Sequence, residues 1–241
     1  MSQPFKTLCL IPARAGSKRI PRKNIRVFAG KPMISWPIAA AIESQVFDHV
    51  MVSTDDKEIA ALAESAGAWV PYLREQRLSD DVTTTASVTV DALHRLSEMG
   101  YYFDYVCCLY PTAVFTTARD LSASYQAIVK EGSQTCLAVT PYPATPFRAI
   151  VKGPDDRLSA AMPSFQLSRT QDLPKAWHDA GQFCWSHCEQ LIMDGQVSMA
   201  DAIGHEMKMY SVVDIDEEVD FLFAEKLFIL KAQTGLNSGD K

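Results

Sequence analysis

The chain has 241 residues, of which 47% are hydrophobic and 22% are charged, and its formal net charge is -6. Such a length suits one sizeable core, so we expect residues 1–241 to form a single domain. An acidic chain lacks the broad basic surface that nucleic acid requires. No stretch reaches the roughly 18 apolar residues of a membrane span, and the first residues lack the apolar core of a signal peptide. We therefore expect a cytosolic protein with neither a nucleic-acid nor a membrane partner.

Short apolar runs alternate with helical patterns along the chain. In chain order, the patterns predict strands at 7–13, 49–54, 69–73, 105–110, 135–140, 182–185 and 208–213, and helices at 34–44, 56–66, 85–99, 120–130 and 216–230. This alternation predicts an α/β, three-layer, Rossmann-like fold, in which a mostly parallel sheet carries helices on both faces. Ligands of such sheets bind beyond the carboxyl ends of the strands. The loops after Ala13, Tyr110 and Val213 carry unusual chemistry at predicted strand ends.

One stretch, residues 141–177, breaks this rhythm because it is rich in proline and polar residues and has only a weak period. A structureless loop of that length is uncommon inside a compact domain. We interpret it as an inserted arm, which would act as a lid or as a dimerisation element. The tail, residues 234–241, is polar and contains glycine, and we expect it to fray.

The six cysteines predict buried thiols rather than a metal centre. Four of them lie in apolar, strand-like runs, which is typical of reduced thiols that pack as small hydrophobic side chains. These four are Cys9, Cys107, Cys108 and Cys136. Cys184 and Cys188 frame His187 and leave a metal site open, but their spacing is not that of a usual zinc site.

The first predicted strand runs into a basic loop, residues 11–24, with the sequence IPARAGSKRIPRKN. Gly16 and Ser17 would let backbone amides approach an oxyanion closely. The cations suited to neutralising a triphosphate are Arg14, Lys18 and Lys23. Asn24 offers a donor and an acceptor to a base or a ribose. The loop matches neither the P-loop pattern nor the dinucleotide-binding fingerprint, and the alternative interpretation is a solvated basic loop.

This string resembles the signature of the CMP-sugar acid synthetases, the cytidylyltransferases that make CMP-sialic acid and related compounds. The likeness covers nearly the whole chain, through KPMISWPIAAAIES, VSTDDKEIA and VPYLREQRLSDDVTTTASV. It implies a nucleotidyltransferase fold and CTP as a substrate. By position it implies a nucleotide site of Ala13, Arg14, Gly16, Ser17, Lys23, Asn24, Arg74 and Ser87. It also implies catalytic roles for Arg14, Lys18, Lys23 and Asp216. Ser87 has a second interpretation, as a polar residue in the first turn of a helix.

Two aspartates, Asp214 and Asp216, stand two residues apart near the end of the chain. On an extended segment this spacing points both carboxylates to the same side. Two such carboxylates suit a Mg²⁺ ion that also binds phosphate oxygens, and the resemblance implies a metal-binding Asp-x-Asp at this position. The alternative is that Asp216 caps the last helix, whose first residues are acidic.

The segment RTQDLPKAWHDAGQFCW, residues 169–185, is the part that resembles one branch of the family most clearly. With SKRIPRKN and CCLYPTA, it resembles the pseudaminic acid cytidylyltransferases. The resemblance implies sugar-binding residues at Tyr110, Arg169, His178, Asp179 and Gln182, with the arginine meeting the sugar carboxylate. His178 and Asp179 would suit acid/base catalysis, but we favour binding because the reaction does not require a histidine base. The sequence departs from the family pattern at Ala15, Val114 and Cys184.

The resemblance therefore implies an enzyme that transfers CMP from CTP to the anomeric hydroxyl of a nonulosonic acid, most closely pseudaminic acid, and releases pyrophosphate. It further implies Mg²⁺ as cofactor and a homodimer in which the arm of one subunit reaches the sugar site of the other. Legionaminic acid, sialic acid and the eight-carbon keto acid of lipopolysaccharide are alternative substrates. Two other hypotheses are a nucleotidyltransferase for a sugar 1-phosphate and a non-catalytic nucleotide-binding module.

Overall fold

The computed structural model describes residues 5–80 and 82–234. Its strands are β1 (Thr7–Pro12), β2 (Val27–Phe28), β3 (Lys31–Pro32), β4 (His49–Ser53), β5 (Tyr105–Leu109), β6 (Thr135–Pro141), β7 (Ile150–Lys152), β8 (Leu158–Ala160), β9 (Trp177–His187) and β10 (Ala202–Glu206). Its helices are α1 (Ser35–Ser44), α2 (Lys57–Ser65), α3 (Thr85–Glu98), α4 (Ala118–Glu131), α5 (Cys188–Asp194) and α6 (Glu218–Thr234). Single 3₁₀ turns lie between several of these elements, including Lys23–Ile25 and Met209–Ser211.

Six strands form the central sheet in the order β10-β6-β9-β5-β1-β4. β1 pairs in parallel with β4 and β5, and β10 pairs in parallel with β6. β9 is antiparallel to both of its neighbours, β5 and β6. The predicted α/β fold with a mostly parallel sheet is confirmed. Because β9 runs in reverse, it brings its first residues to the edge where β1 and β5 end.

Both faces of the sheet are covered, as the continuous apolar run of β1 predicts. Successive side chains of a strand point to opposite faces. Cys9 and Ile11 accordingly pack in one core with residues of α1, α2 and α4. Leu8 and Leu10 pack in a second core with residues of α3 and α5. Three layers result, and a third apolar cluster joins α6 to the loops at one end of the sheet.

Polar caps fix where two of the helices begin. The Asp56 carboxylate accepts hydrogen bonds from the amides of Glu58 and Ile59 at the start of α2. Thr117 and Asp120 form a reciprocal capping box at the start of α4. Each device satisfies amides that have no partner inside the helix, so these helices begin within two residues of their predicted starts.

Two predicted strands are wrong. At 69–73 only Trp69 makes an isolated bridge, to Met51. At 208–213 the chain forms the turn Met209–Ser211, whose Ser211 hydroxyl accepts a hydrogen bond from the buried Lys231 of α6. Ser211 is the one buried residue of this stretch, and its partner is on α6 and not in a sheet. The edge strand is β10 instead, which contains glycine, histidine and glutamate and therefore has no apolar run to reveal it.

Residues 142–176 leave the sheet between β6 and β9 and carry the β7–β8 hairpin and three 3₁₀ turns. Apolar side chains are exposed there, including Ile150, Leu158 and Leu167, the last of which is 99% exposed. The role of this arm in dimerisation stays a prediction. The predicted frayed tail lies outside the described residues from 235 onward. No described helix is both long enough and apolar enough to cross a membrane.

All six cysteines are free thiols, and five of them are buried while Cys108 is partly buried. Burial raises the pKa of the Cys184 and Cys188 thiols to about 12, so both stay protonated at neutral pH. Within residues 5–80 and 82–234, no cluster of three or more potential metal ligands forms. The interpretation of the cysteines as buried, reduced side chains is confirmed.

Candidate active site

Two adjoining clefts lie where β1 and β5 end and β9 begins. The first has a volume of about 300 Å³ and the second about 580 Å³. Tyr110 and Thr112, on the loop after β5, line both clefts. The basic loop lines the first cleft, and the start of β9 lines the second. Residues from three separate parts of the chain therefore meet at one edge of the sheet, as ligand sites in such folds do.

The basic loop places five of its predicted site residues on the first cleft, namely Arg14, Ser17, Lys18, Lys23 and Asn24. Asn24 is buried, and its Nδ2 donates to the carbonyl of Arg14 at 3.0 Å, which closes the loop on itself. Arg22 adopts a left-handed φ of 55° immediately before the Lys23–Ile25 turn. A Cβ at Gly16 would meet no atom within 4 Å, so the loop is open to an approaching group there.

Three contacts hold the basic loop against the end of β4, the residues after it and the segment before α3. The amide of Ala13, which is fully buried, donates to the carbonyl of Ser53 at 2.9 Å. The amide of Ala15 donates to the carboxylate of Asp55 at 3.1 Å. The guanidinium of Arg14 donates to the carbonyl of Asp80 at 2.6 Å. Ala13 thus serves as the anchor of the loop, and its predicted contact with the nucleotide stays a prediction.

Arg74 and Ser87 lie outside the lining of the first cleft. Arg74 is buried and donates from Nη1 to the carbonyl of Ser53 and from Nε to the hydroxyl of Ser79. Burial lowers the pKa of its guanidinium, although the charge of Asp55 opposes that shift. The amide of Ser87 donates to the N-cap hydroxyl of Thr84, which is the alternative interpretation of this residue. Their contacts with a nucleotide stay predictions.

The two aspartates span both clefts, because Asp214 lines the second and Asp216 the first. Burial and the nearby charge of Asp216 raise the pKa of Asp214, so the two carboxylates repel each other. Oδ1 of Asp216 lies 2.7 Å from Nη2 of Arg19 and 3.9 Å from Nζ of Lys23. Lys23 also donates to the carbonyl of Ile215 at 2.5 Å. Burial lowers its pKa, while the charge of Asp216 acts in the opposite direction.

The carboxylate that caps the start of α6 is that of Asp220, not that of Asp216. Oδ2 of Asp220 accepts the amides of Asp216 and Glu217 at 3.1 and 2.8 Å. The Asp216 side chain is therefore left to pair with cations instead of capping α6. Two carboxylates alone make a sparse metal site, but Mg²⁺ commonly binds through one or two carboxylates plus substrate phosphates. The donor set at Asp214 and Asp216 fits that habit.

Tyr110, His178 and Asp179 line the second cleft, as predicted for sugar-binding residues. Burial raises the pKa of the Tyr110 phenol to about 12, which keeps its hydroxyl protonated. Nδ1 of His178 lies 2.8 Å from the backbone carbonyl of Asp179. Oδ1 of Asp179 instead accepts the amide of Gly181, which has a left-handed φ of 61°. The two side chains do not pair as an acid/base dyad, which favours the binding interpretation.

Two other predicted sugar contacts lie elsewhere. Gln182 is buried behind the cleft, where its amide group bonds to the hydroxyl of Thr116 and the carbonyl of Ala180. Its backbone carbonyl accepts the amide of Tyr110 at 2.9 Å, so Gln182 positions the shared wall of both clefts. Arg169 is exposed on the arm, outside the lining of either cleft. Both contacts with the sugar stay predictions.

A third, smaller cavity of about 190 Å³ opens beside Tyr110 and Asp179. Most of its wall is apolar, with contributions from Val106, Leu137, Leu191, Val197 and Met199. Cys184, one of the departures from the family pattern, also lines this apolar cavity. The second cleft and this apolar cavity share Tyr110 and Asp179 as wall residues, and the departure at Cys184 lies on the side of the cavity.

Sequence reasoning assigned no role to several residues of the site. Arg19 lies in the basic loop, but its partner Asp216 is 197 positions away along the chain, so the sequence does not predict their ion pair. Thr112 lies in the loop that was singled out after Tyr110, and Asp55 lies in VSTDDKEIA. A polar residue within two positions of the end of a predicted strand is the signal for both.

Comparisons with known proteins identify the family and the fold. Residues 8–156 match the family model described as cytidylyltransferase. The chain is 36% identical over 224 residues to the pseudaminic acid cytidylyltransferase of Campylobacter jejuni, covering 93% of this chain and 97% of that protein. It is 38% identical over 142 residues to the CMP-N,N'-diacetyllegionaminic acid synthase of Legionella pneumophila, covering 59% and 61% respectively.

A solved structure of CMP:2-keto-3-deoxy-manno-octonic acid synthetase complexed with CTP superposes with a TM-score of 0.70. The superposition covers 95% of this chain and 99% of that one at 18% identity, which establishes the shared fold. Together with the family model and the relatives, it confirms the Rossmann-like nucleotidyltransferase fold expected from the sequence. The chain belongs to the cytidylyltransferase family and is a nucleotidyltransferase.

Proposed function

We propose that the protein transfers CMP from CTP to the anomeric hydroxyl of a nonulosonic acid and releases pyrophosphate. The observation that carries the proposal is the meeting of the two clefts at Tyr110 and Thr112, with Asp216 on one side and Asp214 on the other. A triphosphate in the basic first cleft would have its α-phosphate near this junction. An acceptor hydroxyl in the second cleft would approach from the opposite side.

The chemistry asks little of the protein beyond position and charge. The acceptor oxygen attacks the α-phosphorus in line, the bond to the bridging oxygen of pyrophosphate breaks, and the proton of the acceptor hydroxyl passes to solvent or to the leaving pyrophosphate. Arg14, Lys18 and Lys23 would hold the phosphates and stabilise the charge that develops on them. Arg14 and Lys23 are held in place by the carbonyls of Asp80 and Ile215, so their charges stand at the cleft before the substrate arrives.

A Mg²⁺ cofactor is part of this proposal. Asp214 and Asp216 would hold it, and when bound it would supply positive charge to the phosphate oxygens at the junction. Burial and the nearby charge of Asp216 raise the pKa of Asp214, and such a cation would relieve the repulsion between the two carboxylates. Lys23 contributes in the same place by holding the Ile215 carbonyl between the two aspartates.

Pseudaminic acid is the acceptor that we propose. The relative from Campylobacter jejuni, 97% of which is covered by the match, is named a pseudaminic acid cytidylyltransferase. A relative named for diacetyllegionaminic acid also matches. The second name specifies a sugar acid with two N-acetyl groups. The apolar cavity beside Tyr110 and Asp179 suits the methyl end of such a group. An octonic acid has no acyl group to fill this cavity.

We also propose a homodimer in which the arm of one subunit reaches the second cleft of the other. The arm exposes apolar side chains such as Leu158 and Leu167, and Arg169 lies exposed beside them. A guanidinium brought to the second cleft would meet the carboxylate of the sugar acid. We further propose that the protein acts in the cytosol.

The test is pyrophosphate release with CTP, Mg²⁺ and a panel of pseudaminic, legionaminic, sialic and octonic keto acids. We expect release with pseudaminic acid and CTP, and a loss of at least tenfold in Asp216→Asn with the fold intact. Release with another acid would keep the chemistry and replace the acceptor. No release with any of them, while CTP still binds, would leave only a nucleotide-binding module.

A further inference from the structure

Arg19 is the cation that occupies the carboxylate of Asp216 in this structure. Its Nη2 lies 2.7 Å from Oδ1 of Asp216, and both residues line the first cleft. Lys23 lies farther from the same oxygen, at 3.9 Å, and its Nζ is engaged by the Ile215 carbonyl. The Asp216 carboxylate, which we propose to hold a metal ion, is therefore already paired with Arg19. The family resemblance gives this arginine no role.

The pair is weak enough to exchange. The side chains of Arg19 and Asp216 are 63% and 40% exposed. Exposed ion pairs of this kind shift an equilibrium by only about 1.4-fold to fivefold. The guanidinium can therefore leave the carboxylate at small cost once a better anion arrives.

The balance of charges in the first cleft indicates which group the Arg19 guanidinium would contact after it leaves Asp216. Four cations line the first cleft, namely Arg14, Lys18, Arg19 and Lys23. A triphosphate carries about four negative charges at neutral pH. The two aspartates match the two charges of a divalent ion. The site is balanced when all four cations face the nucleotide and both carboxylates face the metal, which requires Arg19 to change partners.

We infer that Arg19 is a positioning residue that exchanges partners during substrate binding. It neutralises Asp216 in the free protein and moves onto the outer phosphates of CTP when a divalent ion takes Asp216. This inference rests on the proposed function. Its consequence is that nucleotide and metal bind interdependently, since the nucleotide removes from Asp216 the cation that repels the metal.

Arg22 provides a matched control on the same loop. Its Nη2 pairs with Glu58 at 2.7 Å and lies 3.8 Å from Asp56, and its side chain is 49% exposed. It does not line the first cleft. Arg22→Gln removes the same charge as Arg19→Gln and an equally exposed ion pair, but it leaves Asp216 untouched.

The experiment measures two affinities for the wild type, Arg19→Gln and Arg22→Gln. Binding of Mn²⁺ alone is followed by electron paramagnetic resonance, without nucleotide, and binding of CTP with Mg²⁺ is followed by calorimetry. We expect Arg19→Gln to bind Mn²⁺ about twofold to fivefold more tightly than the wild type. We expect it to bind CTP at least tenfold more weakly, because a charge-assisted phosphate contact is lost. Arg22→Gln should match the wild type in both.

Opposite changes in the two affinities are a signature that a general loss of structure would not give. The exchange is refuted if Mn²⁺ binding is the same in Arg19→Gln and Arg22→Gln, or if CTP binding does not weaken in Arg19→Gln. A wild type that binds no CTP would instead refute the proposed function, and the exchange with it. A wild type that binds CTP, beside an Arg19→Gln that fails either expectation, refutes the exchange alone.

Discussion

Lys23 joins the basic loop to the aspartate segment, and replacing it with methionine tests the proposed chemistry most directly. The side chain of methionine is of similar length and apolar, so Lys23→Met removes the charge and the hydrogen bond to the Ile215 carbonyl with little change in volume. Lys23 is partly buried, and burial lowers the pKa of its ammonium group. The charge of Lys23 therefore destabilises the free protein, and we interpret its presence as serving the phosphates proposed to bind beside it.

The expected loss follows from two contributions. A hydrogen bond from a charged donor is worth about 1.5–3 kcal/mol. Two unit charges 4 Å apart interact by about 4 kcal/mol at an effective dielectric constant of 20. Taking about 3–4 kcal/mol for the combined loss at the transition state, kcat/KM for CTP should fall by about 10²–10³. The free energy of unfolding should fall by no more than about 1–3 kcal/mol, because the Ile215 carbonyl loses its donor while a partly buried charge is removed.

Pyrophosphate release at varied CTP measures kcat/KM, and urea unfolding measures stability. Lys31→Met is the matched control, because Nζ of Lys31 lies 3.7 Å from the centre of the Trp36 ring and outside the first cleft. We expect the control to retain activity within threefold of the wild type. The reasoning is refuted if Lys23→Met also stays within threefold, or if its loss of activity is matched by a loss of stability large enough to explain it.

Three further predictions test the apolar cavity, the arm and a helix cap. Cys184→Leu should raise KM for an acylated sugar acid about tenfold while KM for CTP stays unchanged, because the added methyl groups fill part of a 190 Å³ cavity; steady-state kinetics with Cys184→Ala as control decide it. Arg169→Ala and Asp216→Asn should each be inactive alone, yet equal mixtures should regain about a quarter of wild-type activity if the arm serves the partner subunit; no recovery after subunit exchange would contradict the shared site. For Asp120, burial raises the pKa, but hydrogen bonds from His205 and Thr117 outweigh it and hold the pKa below its usual value. Its stabilisation is therefore present above the unfolded pKa of about 3.9 and lost as pH falls through the lower folded value. Asp120→Asn should lower the free energy of unfolding by about 1–2 kcal/mol at pH 7, and by less below pH 4, in urea titrations.

The position of the site could be predicted because it depends on local signals. A buried apolar run followed at once by glycine and cations marks a strand end and an anion loop, and the structure indeed brings Arg14, Lys23 and Asn24 to one cleft. The alternation of strands and helices fixed a mostly parallel sheet, whose carboxyl ends share an edge. Tyr110 reaches the same place because β5 lies beside β1.

What the sequence could not supply depends on contacts distant along the chain. The partner of Asp216 is Arg19, and the partner of Ser211 is Lys231. Neither pairing leaves a periodic pattern in the sequence. The role of Arg19 therefore cannot be predicted from it, and the apolar residues around Ser211 predict a strand where the chain forms a turn. Gln182 sits in a conspicuous motif, yet burial turns its amide toward the protein itself. A motif predicts that a residue matters more readily than it predicts which way the side chain faces.

The reversed strand β9 explains why the two halves of the site differ in kind. The first cleft, proposed for the nucleotide, is lined mostly by loops that follow β1 and β5, and residues 8–156, which match the family model, contain both loops. The second cleft, proposed for the acceptor, shares Tyr110 and Thr112 with the first, and its other lining residues lie at the start of β9 and in the aspartate segment, beyond residue 156. Because β9 is antiparallel, its first residues face the cleft, and the arm that leads into it is rooted there too. If the proposed function is right, acceptor recognition can therefore change through β9, the arm and the apolar cavity while the basic loop, proposed to hold the triphosphate, stays the same.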